Sequence, residues 1–166
     1  DYHISVNISP KDFYFADIYK VFTGLVEKYE ISPRNLRLEI TESAIMSDFE
    51  KQLVLIQRLQ EYGFLVEMDD FGSGYSSLNM LKDMPVNTLK VDMGFLRQTD
   101  HQERSRTILK MIISLSKQLG MEVITEGVET KEQVDFLTDI GCDVFQGYYF
   151  AKPMPVSEFE KKYFER

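Results

Sequence analysis

The feature that most restricts this chain is a repeated two-sidedness along six strand-like segments. They are ISVNIS (Ile4–Ser9), LRLEIT (Leu36–Thr41), FLVEMDD (Phe64–Asp70), TLKVDM (Thr88–Met93), EVITEG (Glu122–Gly127) and VFQGYYF (Val144–Phe150). Side chains on a strand alternate between faces with period two. In the first segment Ile4, Val6 and Ile8 oppose Ser5, Asn7 and Ser9; in the second Leu36, Leu38 and Ile40 oppose Arg37, Glu39 and Thr41. The third sets Phe64, Val66 and Met68 against Leu65, Glu67 and Asp69, and the fourth sets Leu89, Val91 and Met93 against Thr88, Lys90 and Asp92. Between these segments apolar residues recur at helical spacing. Phe15, Ile18, Val21, Phe22, Leu25, Val26 and Tyr29 predict a helix over 12–30. Leu53, Leu55, Ile56 and Leu59 predict one over 49–62, with Asp48 as N-cap and Gly63 as stop. Further helices are predicted over 105–119, ended by Gly120, and over 131–140 and 157–164. Strand and helix in strict alternation mean parallel strands joined by crossovers. Two α/β architectures satisfy this, an open doubly wound sheet and a TIM-like (β/α) barrel. A central strand of an open sheet meets helices on both faces and reads as continuously apolar. One apolar and one polar face, strand after strand, favour the barrel, its outer face on helices and its inner face polar.

Composition narrows the function classes. The 166 residues suffice for one domain with a core. A net charge of -8 argues against a nucleic-acid polymer as partner. The single cysteine, Cys142, rules out an intrachain disulfide and suits a cytoplasmic location. No apolar run has the length of a membrane span, so no membrane contact by this segment is expected. His3 and His101 have no partner at metal-ligand spacing, which argues against zinc.

In a (β/α) barrel the C-terminal strand ends form the functional face. The inward residues near those ends are Asn7, Glu39, Asp69, Lys90, Glu126 and Gln146, with Asp70 one step beyond its strand. Two carboxylates about 4 Å apart repel by about 4 kcal/mol at an effective dielectric near 20. Such a cluster calls for cations, and oxygen ligands suit Mg²⁺ or Mn²⁺. Four carboxylates match the charge of two divalent ions, the arrangement used for in-line attack on phosphoryl groups. Each residue also has a plainer reading. A lone strand-end acid usually caps a helix, Lys90 could pair with Asp92, and Gln146 could be solvated. Gly72 and Gly74 form a common kind of turn. The run Tyr148-Tyr149-Phe150 reads as packing rather than as a base-stacking platform. One inward step below Glu39 and Asp69, Arg37 and Glu67 are expected to form an ion pair, since neither tolerates burial alone.

The motifs SVNISP, LEITES, DDFGSGYSSL, LKVD, TEGVET and GCDVFQGYYFAKP together resemble the EAL domain family, the cyclic-di-GMP phosphodiesterases, from about Ser5 to Pro155. The resemblance implies a modified (β/α) barrel that hydrolyses cyclic di-GMP to linear pGpG with a two-metal Mg²⁺ or Mn²⁺ site. It implies metal ligands at Asn7, Glu39, Asp69, Asp70 and Glu126, and catalytic roles for Lys90, Glu126, Gln146, Glu42 and Glu129. Of these, Lys90 would hold or activate the attacking water, and Glu42 and Glu129 would steady the loop Phe71–Ser77. Asp70, Gly72, Gln146 and Pro153 would meet the substrate. A homodimer attached to upstream sensory or GGDEF domains is implied too. The family's Glu-x-Leu segment belongs upstream of Ile4 and has no counterpart here. Residues 1–166 are therefore expected to be the C-terminal portion of an EAL domain, about six of eight β/α units, with impaired hydrolysis. The competing readings are an inactive cyclic-di-GMP receptor and a protein-interaction module.

Overall fold

Six parallel strands form one sheet in sequence order: β1 (Ile4–Ile8), β2 (Leu36–Thr41), β3 (Leu65–Phe71), β4 (Thr88–Val91), β5 (Glu122–Thr125) and β6 (Val144–Phe145). The computed structural model describes residues 2–72, 78–92, 94 and 102–164. Helices follow the strands: α1 (Asp12–Phe15), α2 (Ile18–Lys28), α3 (Glu42–Ser47), α4 (Phe49–Tyr62), α5 (Leu78–Asp83), α6 (Gln102–Gln118), α7 (Lys131–Asp139) and α8 (Val156–Tyr163). This is the TIM-like α/β arrangement that the alternation favours, incomplete as the family resemblance implies. Among the described residues β1 and β6 each pair with one strand only, so the sheet does not close.

The apolar strand faces make the core. Leu38, Ile40, Val66, Met68, Leu89 and Val91 are fully buried, together with the helix residues Ile45, Ile56, Leu59, Leu109, Ile113 and Leu137. Each such side chain contributes about 1.5–3 kcal/mol through removal from water. Helix ends follow local chemistry. Thr130 and Gln133 close a capping box at α7, and Gly63, at φ +116°, ends α4 in a left-handed turn. Asp48 holds the N-cap position of α4, but its side chain makes no cap bond.

Four local expectations are corrected. The helix predicted over 12–30 is broken at Ala16 and Asp17, because Asp17 accepts from the Lys20 amide and starts α2 afresh. The short helices α3 and α5 were not foreseen; Thr41 caps α3 directly at the end of β2. The strands expected to reach Met93 and Gly127 end at Val91 and Thr125. The last strand, expected over 144–150, is only Val144–Phe145. After it the chain turns over the β5 loop, where the Val128 amide donates to the Gln146 carbonyl and the Tyr149 amide donates to the Val128 carbonyl. Gly147 permits this approach, since a Cβ there would overlap the Val128 backbone. Gly147→Ala is expected to destabilise by about 1–3 kcal/mol, because backbone on both sides must move. Thermal melting checks it, with a loss of at least about 2 °C expected.

Candidate functional site

At the carboxyl ends of β2 to β5 the polar faces meet. Glu39 lies on β2, Asp69 and Asp70 on β3, Lys90 on β4, and Glu126 just past β5. The Lys90 ammonium is the centre of the group. Its Nζ is 2.8 Å from Glu39 Oε1, 2.9 Å from Asp69 Oδ1 and 3.0 Å from Glu126 Oε1. All this is nearly dry: the Lys90 side chain is 4% exposed, Glu39 9% and Asp69 12%. Lys90 therefore pairs with three site carboxylates rather than with Asp92. The Asp92 carboxylate instead accepts from the Gly94 amide at 2.7 Å.

The adjacent aspartates reach the same site because β3 is irregular there. A regular strand would send consecutive side chains to opposite faces. Between Met68 and Phe71 the pairing with β4 shifts register, and Asp70 adopts φ +58°. Aspartate tolerates this left-handed conformation better than most residues. The bulge turns Asp70 toward its neighbour, and Asp69, Asp70 and Glu126 each offer an oxygen within 4.8 Å of the others.

Electrostatics follow from this crowding. Burial raises the Glu39 carboxyl above the ordinary carboxylate range; Lys90 opposes the shift and Asp69 adds to it. Glu126 is raised for the same reasons. Asp70 is raised by burial and by the charges of Asp69 and Asp92. For Lys90, burial alone would lower the pKa, but its bonds to Glu39, Asp69 and Glu126 prevail and hold it above that of a free lysine. The surrounding carboxylates thus favour the ammonium form of Lys90.

Glu39, Glu126 and Asp70 have folded pKa values above their unfolded ones. Their contribution to stability is fully present below an unfolded pKa of about 4 and is lost as pH rises through the raised values. Cation binding should run the other way, because protons on these oxygens compete with the cation. Manganese titrations are expected to show affinity falling as pH drops from about 7 to about 5; a flat profile would contradict this placement of the ligands.

The remaining expected residues fall around this centre. Asn7 is exposed and is the register partner of Glu39 on the neighbouring strand. Glu42, at the start of α3, is buried and accepts from the Gly72 amide at 3.4 Å, so it holds the chain just after Asp70. Gly72 itself has φ +91°. Gln146 and Glu129 line a cavity of about 410 Å³ with Asp70 and Glu126. Pro153 lines a different cavity, of about 640 Å³, between the start of β1 and α8. Gly74 and most of the loop Phe71–Ser77 lie outside the described residues.

Two features were missed. Asp92 lines the acidic cavity with Asp70; its place on the polar side of LKVD, two residues after Lys90, was the available signal. The aromatic run is only partly packing. Phe150 stacks on Phe145 at 6.3 Å and Tyr149 meets Phe150 edge-on at 5.1 Å. Tyr148 lines the acidic cavity with Lys152 5.5 Å from its ring.

The arrangement can hold a hard cation. Asp69 Oδ1 is buried with Lys90 Nζ at 2.9 Å, and the side-chain oxygens of Asp69, Asp70 and Glu126 that gather there form an all-oxygen donor set. Asp69, Asp70 and Glu126 fit a divalent ion of the magnesium or manganese type.

A parallel α/β sheet with an acidic rim at its strand ends is a setting for a divalent-cation site. The EAL domain pattern matches residues 1–153, and the chain belongs to the EAL domain family. It is 37% identical over 158 residues to the bifunctional diguanylate cyclase/cyclic di-GMP phosphodiesterase MucR of Pseudomonas aeruginosa, covering 95% of this chain and 23% of that protein. The PaMucR phosphodiesterase solved as a c-di-GMP complex matches with TM-score 0.89 and 36% identity, covering 96% of this chain and 71% of that one. The Klebsiella pneumoniae BlrP1 manganese/cy-diGMP complex matches with TM-score 0.81 and 27% identity, covering 91% of this chain and 39% of that one. The chain thus spans about a quarter of the length of MucR. No helix among the described residues is long and apolar enough to cross a membrane.

Proposed function

We propose that this chain provides the catalytic rim of a cyclic-di-GMP phosphodiesterase that opens one phosphodiester to give linear pGpG. The observation that carries the reading is the convergence of Asp69, Asp70 and Glu126 within 4.8 Å, beside a buried ammonium. Support also comes from MucR, named for this activity, and from the c-di-GMP complexes of its structural relatives.

Asp69, Asp70 and Glu126 would hold Mg²⁺ or Mn²⁺, with Glu39 and Asn7 completing the ligands. A bound divalent cation supplies charge stabilisation at the phosphoryl oxygens and acidifies water. The protein groups divide the remaining work. In the net reaction a water oxygen bonds to phosphorus, one P–O ester bond breaks, and the released oxygen leaves as an alcohol carrying a proton. Lys90, whose three N–H groups go to Glu39, Asp69 and Glu126 in this arrangement, would hold or activate the attacking water once a cation takes over those carboxylates. Glu126, beside Lys90, would meet the cation directly or through a water. Gln146, on the cavity wall, orients water; Asp70, Gly72 and Pro153 would border the substrate. Glu42 and Glu129 would secure the loop beyond Asp70, Glu42 through the Gly72 amide.

The wider reading is a cytoplasmic homodimer within a longer protein carrying sensory or GGDEF domains. The longer protein, though not the location or the dimer, is supported by the bifunctional name of MucR and the 23% of its length matched here. Incubation with cyclic di-GMP and Mg²⁺, followed by chromatography, tests the activity. Impaired conversion to pGpG, slow or nearly absent and stopping on chelation, is expected. Nucleotide binding without conversion would make the protein a receptor, and neither binding nor conversion would overturn the nucleotide reading.

A further inference from the structure

Beneath the acidic rim, on the same inward face, lies a second polar layer that the proposed reaction does not use. Arg37 Nη1 donates to Glu67 Oε1 at 3.0 Å and to Glu122 Oε2 at 2.8 Å. The expected Arg37–Glu67 pair is present, and Glu122 is an additional partner. Ser5 Oγ donates to Glu67 Oε2 at 3.0 Å, and Thr88 Oγ1 donates to Glu122 Oε2 at 3.4 Å. These side chains come from β1, β2, β3, β4 and β5, so one bonded belt crosses all but the last strand. Glu67 is 1% exposed and the Arg37 side chain 14%.

The belt is in phase with the rim. Ser5 precedes Asn7 by two residues, Arg37 precedes Glu39, Glu67 precedes Asp69, and Thr88 precedes Lys90; Glu122 stands two inward steps before Glu126. Residues two apart share a strand face and lie about 7 Å apart along it. Apolar alternation fixes which face points inward, since a one-residue slip would reverse it. It does not oppose a two-residue slip, which keeps every apolar side chain on its face and still moves a rim carboxylate by about 7 Å. Directional bonds between particular side chains do oppose it. Stability alone gives no reason for the belt, because buried ion pairs replaced by packed apolar residues commonly leave a protein as stable or more so.

We propose that Arg37 is a positioning residue for divalent-cation binding: through Glu67 and Glu122 it holds β2, β3 and β5 in the register that sets the spacing of Glu39, Asp69 and Glu126. This rests on the reading of the rim as a cation site. Calorimetric titration with Mn²⁺ alone, without nucleotide, tests it in the paired variant R37L/E67L, which leaves no buried charge unpartnered. The expected result is a melting temperature near or above that of the wild type, with Mn²⁺ affinity about 10- to 100-fold weaker, the range for partners that orient metal ligands. Arg37→Lys, which keeps the charge but changes the length and the planar head that place Nη1 between Glu67 and Glu122, should fall between. Should the paired variant not fold, Glu122→Ala replaces it. Glu122 is 42% exposed, so its removal should leave melting unchanged and weaken Mn²⁺ about 2- to 30-fold. Wild-type affinity in the folded variants would overturn the proposal. A wild-type protein that takes up no Mn²⁺ would instead overturn the cation reading of the rim, and the belt's role with it.

Discussion

Lys90→Met is expected to remove hydrolysis and to make the fold depend on a divalent cation. The ammonium is the shared partner of Glu39, Asp69 and Glu126 at 2.8–3.0 Å. Removing one member of a buried ion pair costs about 3–5 kcal/mol, because the partners stay buried without compensation. For a chain of this size that is a fall of about 10 °C in melting temperature. The carboxylates can escape part of the cost by taking protons. The pKa values of Glu39 and Glu126, already raised, would rise further without Lys90, so the deficit should shrink as pH falls from about 7 to about 5. Mg²⁺ should narrow the gap to the wild type by supplying the missing positive charge. Differential scanning calorimetry with chelator and with Mg²⁺, at both pH values, reads all of this. A variant that melts like the wild type in chelator would show that Lys90 is not the counter-charge of the site.

Asp69→Asn should separate binding from stability. Asp69, like Glu126, belongs both to the Lys90 group and to the cluster of oxygens with Asp70. An amide of the same shape removes the charge that attracts a cation while easing repulsion with Asp70. Partners that merely orient metal ligands change affinity by about 10- to 100-fold, so loss of a direct ligand should exceed about 100-fold. The melting temperature in chelator should stay within about 4 °C of the wild type, a cost near 1 kcal/mol. Equilibrium dialysis with Mn²⁺ and a melting curve on one preparation decide it. Retained affinity would remove Asp69 from the ligand set.

The contrast between these variants shows which parts of the site the sequence makes legible. Period-two alternation places Glu39, Asp69 and Lys90 on one face, because that face is decided locally by the strand itself. The partners of Lys90 are not local. LKVD offers Asp92 two residues away on the same side, yet the ammonium turns to residues on β2, β3 and the β5 loop. That choice depends on how strands are staggered in three dimensions. The Asp69-Asp70 pair is intermediate: adjacent acids signal an irregularity, but the register shift and the φ of +58° that bring both to one place appear only when β3 meets β4. The early end of β6 has the same origin. Residues 146–150 carry strand-like side chains, but their backbone bonds go to Val128, a partner no local pattern names. Arg37 and Glu67 were legible as a pair because a buried charge requires one. Glu122, Ser5 and Thr88 join them through tertiary reach.

The account stands on a divalent cation lying among Asp69, Asp70 and Glu126. Anomalous diffraction from crystals soaked in Mn²⁺ tests this most directly. The predicted result is a manganese peak bounded by oxygens of these three residues and lost in Asp69→Asn crystals. A map with no manganese there, and Lys90 alone joining the carboxylates at saturating Mn²⁺, would contradict it.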